Sequence, residues 1–95
     1  MKYVYPAVFS QYGSDVGVYF PDLDGCISQG ENYLDAFRMA REGLSLHLYG
    51  MAVEGYNLPA PGRLEDISLK PNQALALIES EDIDDFKPDW ELEHE

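Results

Sequence analysis

A single helix-period stripe runs through residues 33–51, where Tyr33, Phe37, Ala40, Leu44, Leu48 and Met51 recur every three or four positions. A second row of small or apolar side chains, Ala36, Met39, Gly43 and Leu46, lies beside it. Asp35, Arg38, Glu42, Ser45 and Tyr49 fall on the polar face. His47 falls between the stripe and its flank, the place of a half-buried packing or interface residue. Asn32 is a good N-cap, and Asp35 three residues later puts a carboxylate near the first-turn amides, as in a capping box. Gly50 or Gly55 offers a left-handed end, and Pro59 and Pro61 prevent the helix from resuming. One amphipathic helix must bury its stripe against something, and the remaining patterned segments all read as strands.

Residues 2–11 place Tyr3, Tyr5, Ala7 and Phe9 on one side and Val4, Val8 and Ser10 on the other. Residues 16–20 place Val16, Val18 and Phe20 opposite Gly17 and Tyr19. The turn cluster Tyr12-Gly13-Ser14-Asp15 joins them as a hairpin. Pro6 pushes the first strand toward a sheet edge or a bulge. Pro21-Asp22-Leu23-Asp24-Gly25 is a second turn, and residues 26–29 make a third strand, so the first third of the chain is an antiparallel meander. After the helix comes a proline-rich connection at residues 57–62, then one helical turn at 64–67. Pro71-Asn72-Gln73 is a turn signal, and a buried fourth strand follows at 74–78. The order is βββαβ, an α/β (α+β) fold, with the last strand expected parallel to an earlier one across a helical crossover. The expected division is one domain over residues 1–80 and an acidic tail over 81–95.

The net charge is −12, and it is concentrated late. Residues 1–78 carry −4, whereas residues 79–95 carry −8 with Lys87 as their only base. Such a chain repels phosphate backbones, so direct nucleic-acid binding is not expected, while a basic protein partner would be attracted. Tyr3, Tyr5, Phe9, Tyr12, Tyr19 and Phe20 crowd the first two strands, but a base-stacking sheet would also carry basic neighbours and only Lys2 is near. Core packing and protein contact suit these aromatics better. Cys26 is the only cysteine, which excludes an internal disulfide and is too little for a structural zinc site. With no long apolar run, the expected setting is the cytoplasm, away from membranes.

Residues 19–30 read Tyr-Phe-Pro-Asp-Leu-Asp-Gly-Cys-Ile-Ser-Gln-Gly. This resembles the HicB antitoxin family of bacterial toxin–antitoxin pairs, whose members commonly carry F-P-D-L-P-G-C-x-S-x-G ahead of an amphipathic helix. The matching positions are Phe20, Pro21, Asp22, Leu23, Gly25, Cys26, Ser28 and Gly30, with Asp24 where the family often has proline. Tyr5-Pro6-Ala7-Val8-Phe9, Ala40-Arg41-Glu42-Gly43-Leu44 and Asn57-Leu58-Pro59-Ala60-Pro61 are similar to the family's first strand, helix and following connection. The resemblance covers roughly residues 3–78 and implies a partial RNase H-like fold. It implies a partner too: a HicA-like toxin, a small basic protein that cleaves mRNA and is inhibited by protein–protein contact. A homodimer or homotetramer is expected for so small a core. Many members add a C-terminal DNA-binding module. Nothing basic or helical follows residue 78, so DNA binding is not expected of this chain.

Competing chemistry has thin support. An RNase H-like fold invites Mg²⁺ at Asp22 and Asp24, with Glu42 and Asp66 elsewhere, but the first two sit in a proline-glycine turn rather than on strands. Cys26 lacks a sequence-near histidine, His47 and His94 being distant, and reads as a packed thiol. No catalytic, cofactor-binding or metal-binding residue is therefore assigned. The tail has two readings, a solubilising end or a toxin-binding segment. In the second, Phe86 and Trp90 are anchors and Asp85, Asp89 and Glu91 occupy the toxin's RNA-binding surface. An orphan homo-oligomeric scaffold and a metal-dependent nuclease are the alternative functions.

Overall fold

The computed structural model describes residues 1–88, and its elements follow the expected order. Strand β1 spans Val4–Tyr12, β2 Asp15–Tyr19, β3 Ile27–Gly30 and β4 Gln73–Glu79, with one helix, α1, over Tyr33–Val53. A 3-10 turn at Leu64–Asp66 occupies the long connection. The sheet order is β3-β2-β1-β4, and each neighbouring pair is antiparallel. The fold is α+β, one helix on one face of a four-stranded sheet.

The fourth strand corrects the crossover expectation, since it runs antiparallel to β1. Helix α1 returns along β3 in the opposite sense: Gly30 lies against Ala36, Ser28 bonds Met39 and Cys26 bonds Gly43. Turning directly from the helix end into a strand would make that strand parallel to β1. Residues 54–72 instead carry the chain back to the end where α1 began. There the Gln11 N–H donates to the Asn72 carbonyl at 3.0 Å, and β4 starts beside Ser10. The proline-rich connection thus reverses the strand.

Pro6 is the second correction, because β1 is central rather than at an edge. The bonds of Gln11 to Asn72 and of Tyr3 to Ser80 show that odd residues of β1 aim their backbone groups at β4. Pro6 therefore faces the β2 side, where β2 has already ended at Tyr19, opposite Val8. Its missing donor breaks no ladder bond.

The core forms as the alternation predicts, from Tyr5, Ala7 and Phe9 of β1, Val16 and Val18 of β2, and Ile78 of β4. On α1 the buried line is Ala36, Ala40, Leu44 and Leu48, while Tyr33 and Phe37 are 44% and 46% exposed. Ser45, expected on the polar face, is wholly buried. Its hydroxyl donates to the Arg41 carbonyl at 2.8 Å and accepts from the Glu81 N–H at 3.0 Å. Small residues face the sheet and let the helix approach. The large rings are displaced to the flank, where Phe37 and Tyr33 stack on Phe9 at centroid distances of 5.7 and 6.3 Å.

Asn32 caps α1 by accepting the Asp35 N–H at 2.8 Å, and the Asp35 carboxylate accepts the Glu31 N–H at 3.0 Å. That N–H, and then the Arg38 guanidinium 2.7 Å away, hold the Asp35 carboxyl below its ordinary value. A depressed carboxylate stabilises the fold fully above its unfolded pKa, so this contribution is complete at neutral pH and is lost as the solution is acidified. Asn32→Ala is expected to lower the unfolding free energy by about 1 kcal/mol, read as a shift of the urea midpoint. At the other end Gly55 takes φ +80°, and the N–H groups of Gly55 and Tyr56 donate to the carbonyls of Ala52 and Met51. Gly50 lies inside the helix.

The chain beyond β4 returns to the fold. The Ser80 N–H donates to the Tyr3 carbonyl at 2.7 Å, and the Ile83 N–H to the Met1 carbonyl at 2.9 Å. Ile83 is 7% exposed and joins the core cluster, while the N-terminal ammonium pairs with Asp82 and Asp84.

Candidate functional site

Residues 20–30 make a tight corner that leads from β2 into β3. The Leu23 N–H donates to the Phe20 carbonyl at 3.0 Å, the Cys26 N–H to the Leu23 carbonyl at 3.2 Å and the Phe20 N–H to the Cys26 carbonyl at 3.2 Å. These bonds turn Phe20, Leu23 and Cys26 into the core and leave Pro21 and Asp24 outside. Gly25 adopts φ +79°, a left-handed conformation that strains any residue with a Cβ. The turn closes with Asp24 in the position where proline is common.

From this corner the small residues of β3 meet α1 at close range. The Ser28 hydroxyl donates to the Met39 carbonyl at 3.2 Å, and the Cys26 thiol lies 3.9 Å from the Gly43 carbonyl. A Cβ at Gly30 would stand 2.3 Å from the Ala36 nitrogen, and one at Gly43 would stand 2.5 Å from the Ser28 Oγ. Gly62, the last residue of the proline-rich connection, belongs here as well: a Cβ on it would lie 2.6 Å from Asp22 Oδ1. Its signal was the Pro61-Gly62 dipeptide, a turn marker. Asp22 is thus turned in against the connection, with Oδ2 buried and unpartnered among the described residues. The Tyr5 hydroxyl donates to the Pro59 carbonyl nearby, and burial followed by the Asp22 charge pushes that phenol above its ordinary value.

Chemically, this cluster is a clamp between turn, helix and connection. Asp22 faces inward and Asp24 outward, while Glu42 and Asp66 are exposed on other elements. Burial pushes the Cys26 thiol up to about 11, so it stays protonated and weakly nucleophilic at neutral pH. Iodoacetamide at pH 8 is expected to leave Cys26 unmodified in the native chain and to alkylate it fully in urea, as read by intact mass.

A groove of about 700 Å³ lies between α1 and the segment after β4. Leu34, Phe37 and Leu46 make its apolar wall, Arg38 and Arg41 line it, and Phe86 faces them. Phe86 packs edge-on against Tyr49 at 5.8 Å. Asp85 is exposed beside it. Asp89, Trp90 and Glu91, the rest of the proposed toxin-binding set, lie outside the described residues.

Residues 5–89 match the family described as "HicB_like antitoxin of bacterial toxin-antitoxin system". The chain belongs to the HicB-like antitoxin family. Solved HicB structures agree in fold. A chain of a HicA3 and HicB3 toxin–antitoxin complex is 26% identical, with TM-score 0.68 over 84% of this chain and 100% of that one. The N-terminal domain of the Burkholderia pseudomallei antitoxin HicB is 25% identical, with TM-score 0.67 over 80% and 95% of the two chains. A toxin–antitoxin complex from Streptococcus pneumoniae reaches TM-score 0.80 over 99% of this chain and 86% of that one, at 20% identity, and shows the fold alone. An uncharacterized 14.9 kDa protein of Haemophilus phage HP1 is 27% identical over 81 residues. The match covers 85% of this HicB-like chain but spans only 61% of that relative. No helix among the described residues is long and apolar enough to cross a membrane.

Proposed function

We propose that this chain is an antitoxin that inhibits a HicA-like toxin by protein–protein contact and performs no catalysis itself. The observation that carries this is the family match over residues 5–89, supported by the likeness to a chain of a HicA3–HicB3 complex over that chain's full length. The geometry is in keeping with it. The motif residues are occupied in packing the β2–β3 corner onto α1, Cys26 is a buried protonated thiol, and Asp22 and Asp24 point apart. A net charge of −12 suits a basic partner, whose association it would accelerate.

Residues 81–95 are proposed as a toxin contact, with Asp85 and Phe86 among the described residues and Asp89, Trp90 and Glu91 completing the set. Co-expression with a small basic HicA-like toxin should give a complex that co-purifies and restores growth. Toxicity that persists despite abundant folded antitoxin would reject the reading. For the tail, a chain ending at Pro88 should bind that toxin at least tenfold more weakly than the full chain, a loss of about 1.4 kcal/mol. Equal affinity of the two would restrict the contact to residues 1–88.

A further inference from the structure

Helix α1 leaves its outer flank largely uncovered along the groove it shares with the segment after β4. Leu34, Phe37 and Leu46 are 84%, 46% and 38% exposed there and form its apolar wall. A contiguous apolar surface of this kind marks a docking site. The groove is also where the chain's scarce positive charge gathers. Arg38, Arg41 and Lys87, three of its six bases, line it against two acids, Glu42 and Glu81. On a chain of net charge −12 the groove is locally positive. The Arg38 guanidinium pairs with Asp35, and among the described residues no ion pair engages that of Arg41. A basic toxin is repelled from such a surface, whereas an acidic segment with large apolar side chains fits it.

Residues 89–95, outside the described residues, read Asp-Trp-Glu-Leu-Glu-His-Glu. They carry four carboxylates, no lysine or arginine, and the chain's single tryptophan. Pro88 is buried and lines the groove, so the chain enters it just ahead of residue 89. We propose that residues 89–95 fold back into this groove in the free chain. Trp90 and Leu92 then cover the wall of Leu34, Phe37 and Leu46, and the carboxylates meet Arg38 and Arg41. Extended backbone alternates its side chains, which puts Trp90 and Leu92 on one side and Asp89, Glu91 and Glu93 on the other. The reach suffices: seven extended residues span up to about 23 Å, and the helix from Leu34 to Leu46 rises about 18 Å. Tethering makes a weak contact enough. At an effective concentration on the order of 1 mM, an intrinsic Kd of about 0.3 mM seats the tail roughly three-quarters of the time. So small a preference hardly moves the melt. A toxin that takes the tail must first draw it from this seat, yet the seat needs this chain alone and stands apart from the antitoxin reading.

Trp90, as the only tryptophan, is the probe. In the full chain, acrylamide should quench its fluorescence about threefold less than that of a peptide of residues 89–95, and its emission should lie to the blue of the peptide's. Leu34→Asp combined with Arg41→Glu, at two exposed positions, should restore peptide-like quenching and keep the thermal melt. Glu91→Lys combined with Glu93→Lys, which leaves residues 1–88 untouched, should raise the quenching as well. Quenching in the full chain equal to the peptide's overturns the proposal and leaves the groove to another partner. Protection that survives both pairs of substitutions overturns it too, since Trp90 then packs elsewhere. So does protection that fades on tenfold dilution, the mark of a tail held by a second copy.

Discussion

Gly30→Ala is expected to remove about 3 kcal/mol or more of stability, which for a domain of this size leaves little folded protein at 37 °C. The added methyl would stand 2.3 Å from the nitrogen and 2.5 Å from the Cα of Ala36, and 2.8 Å from the Asp35 carbonyl carbon. All three are backbone atoms of the first helical turn. No rotamer change relieves the overlap, so α1 must lift from β3 along the contact through Ser28–Met39 and Cys26–Gly43. Gly50→Ala is the contrasting case. A Cβ there meets nothing within 4 Å, and alanine in a helix interior should stabilise the chain by about 0.5–1 kcal/mol. Urea unfolding of the two variants should therefore move the midpoint in opposite directions, and movement in one direction would refute the packing argument.

Shortening the chain after Ser80 is expected to be nearly as damaging. It removes Ile83, whose burial is worth about 1.5–3 kcal/mol. It also removes the bonds from Glu81 N–H to Ser45 and from Ile83 N–H to Met1, each contributing about 1 kcal/mol, and the edge-on contact of Phe86 with Tyr49. A chain ending at Pro88 keeps all of these. Thermal melts should place the Pro88 chain with the full-length protein and the Ser80 chain well below it. A melt for the Ser80 chain equal to that of the full protein would show that residues 81–88 add nothing to the fold. Toxin affinities are accordingly interpretable for the longer truncation, where fold and contact are separable.

Local patterns were legible in the sequence, and long-range geometry was not. The alternation of Tyr5, Ala7 and Phe9 and of Val16, Val18 and Phe20 picked the core face correctly, and Asn32 with Asp35 marked the helix start. Periodicity located α1 but rotated its buried line, because it weights side-chain size. The contact itself is built from Ala36, Ala40 and Gly43 and closed by the buried hydroxyl of Ser45. The direction of β4 was missed since it depends on where residues 54–72 travel, and proline content says only that the helix stops. Pro6 misled because its position relative to the end of β2 is a property of register. At the candidate site the F-P-D-L motif was recognisable, and its work was not. That Gly30 and Gly43 exist for close approach, and that Asp22 meets Gly62, appears only when the elements are stacked.

The pairing of β1 with β4 joins Val4–Tyr12 to residues 73–79, nearly the full span of the chain. During synthesis at about 5–20 residues per second, β1 leaves the ribosome several seconds before its second partner exists. Over that interval the hairpin and α1 can assemble, but one side of the central strand stays open, and Tyr5 lacks the cover of Ile78 and of the Pro59 connection. Such loop closure is among the slow steps of small-domain folding. Newborn chains thus pass through an interval open to proteases and to mispairing. In cells, the supply of finished protein depends on how quickly that last strand arrives.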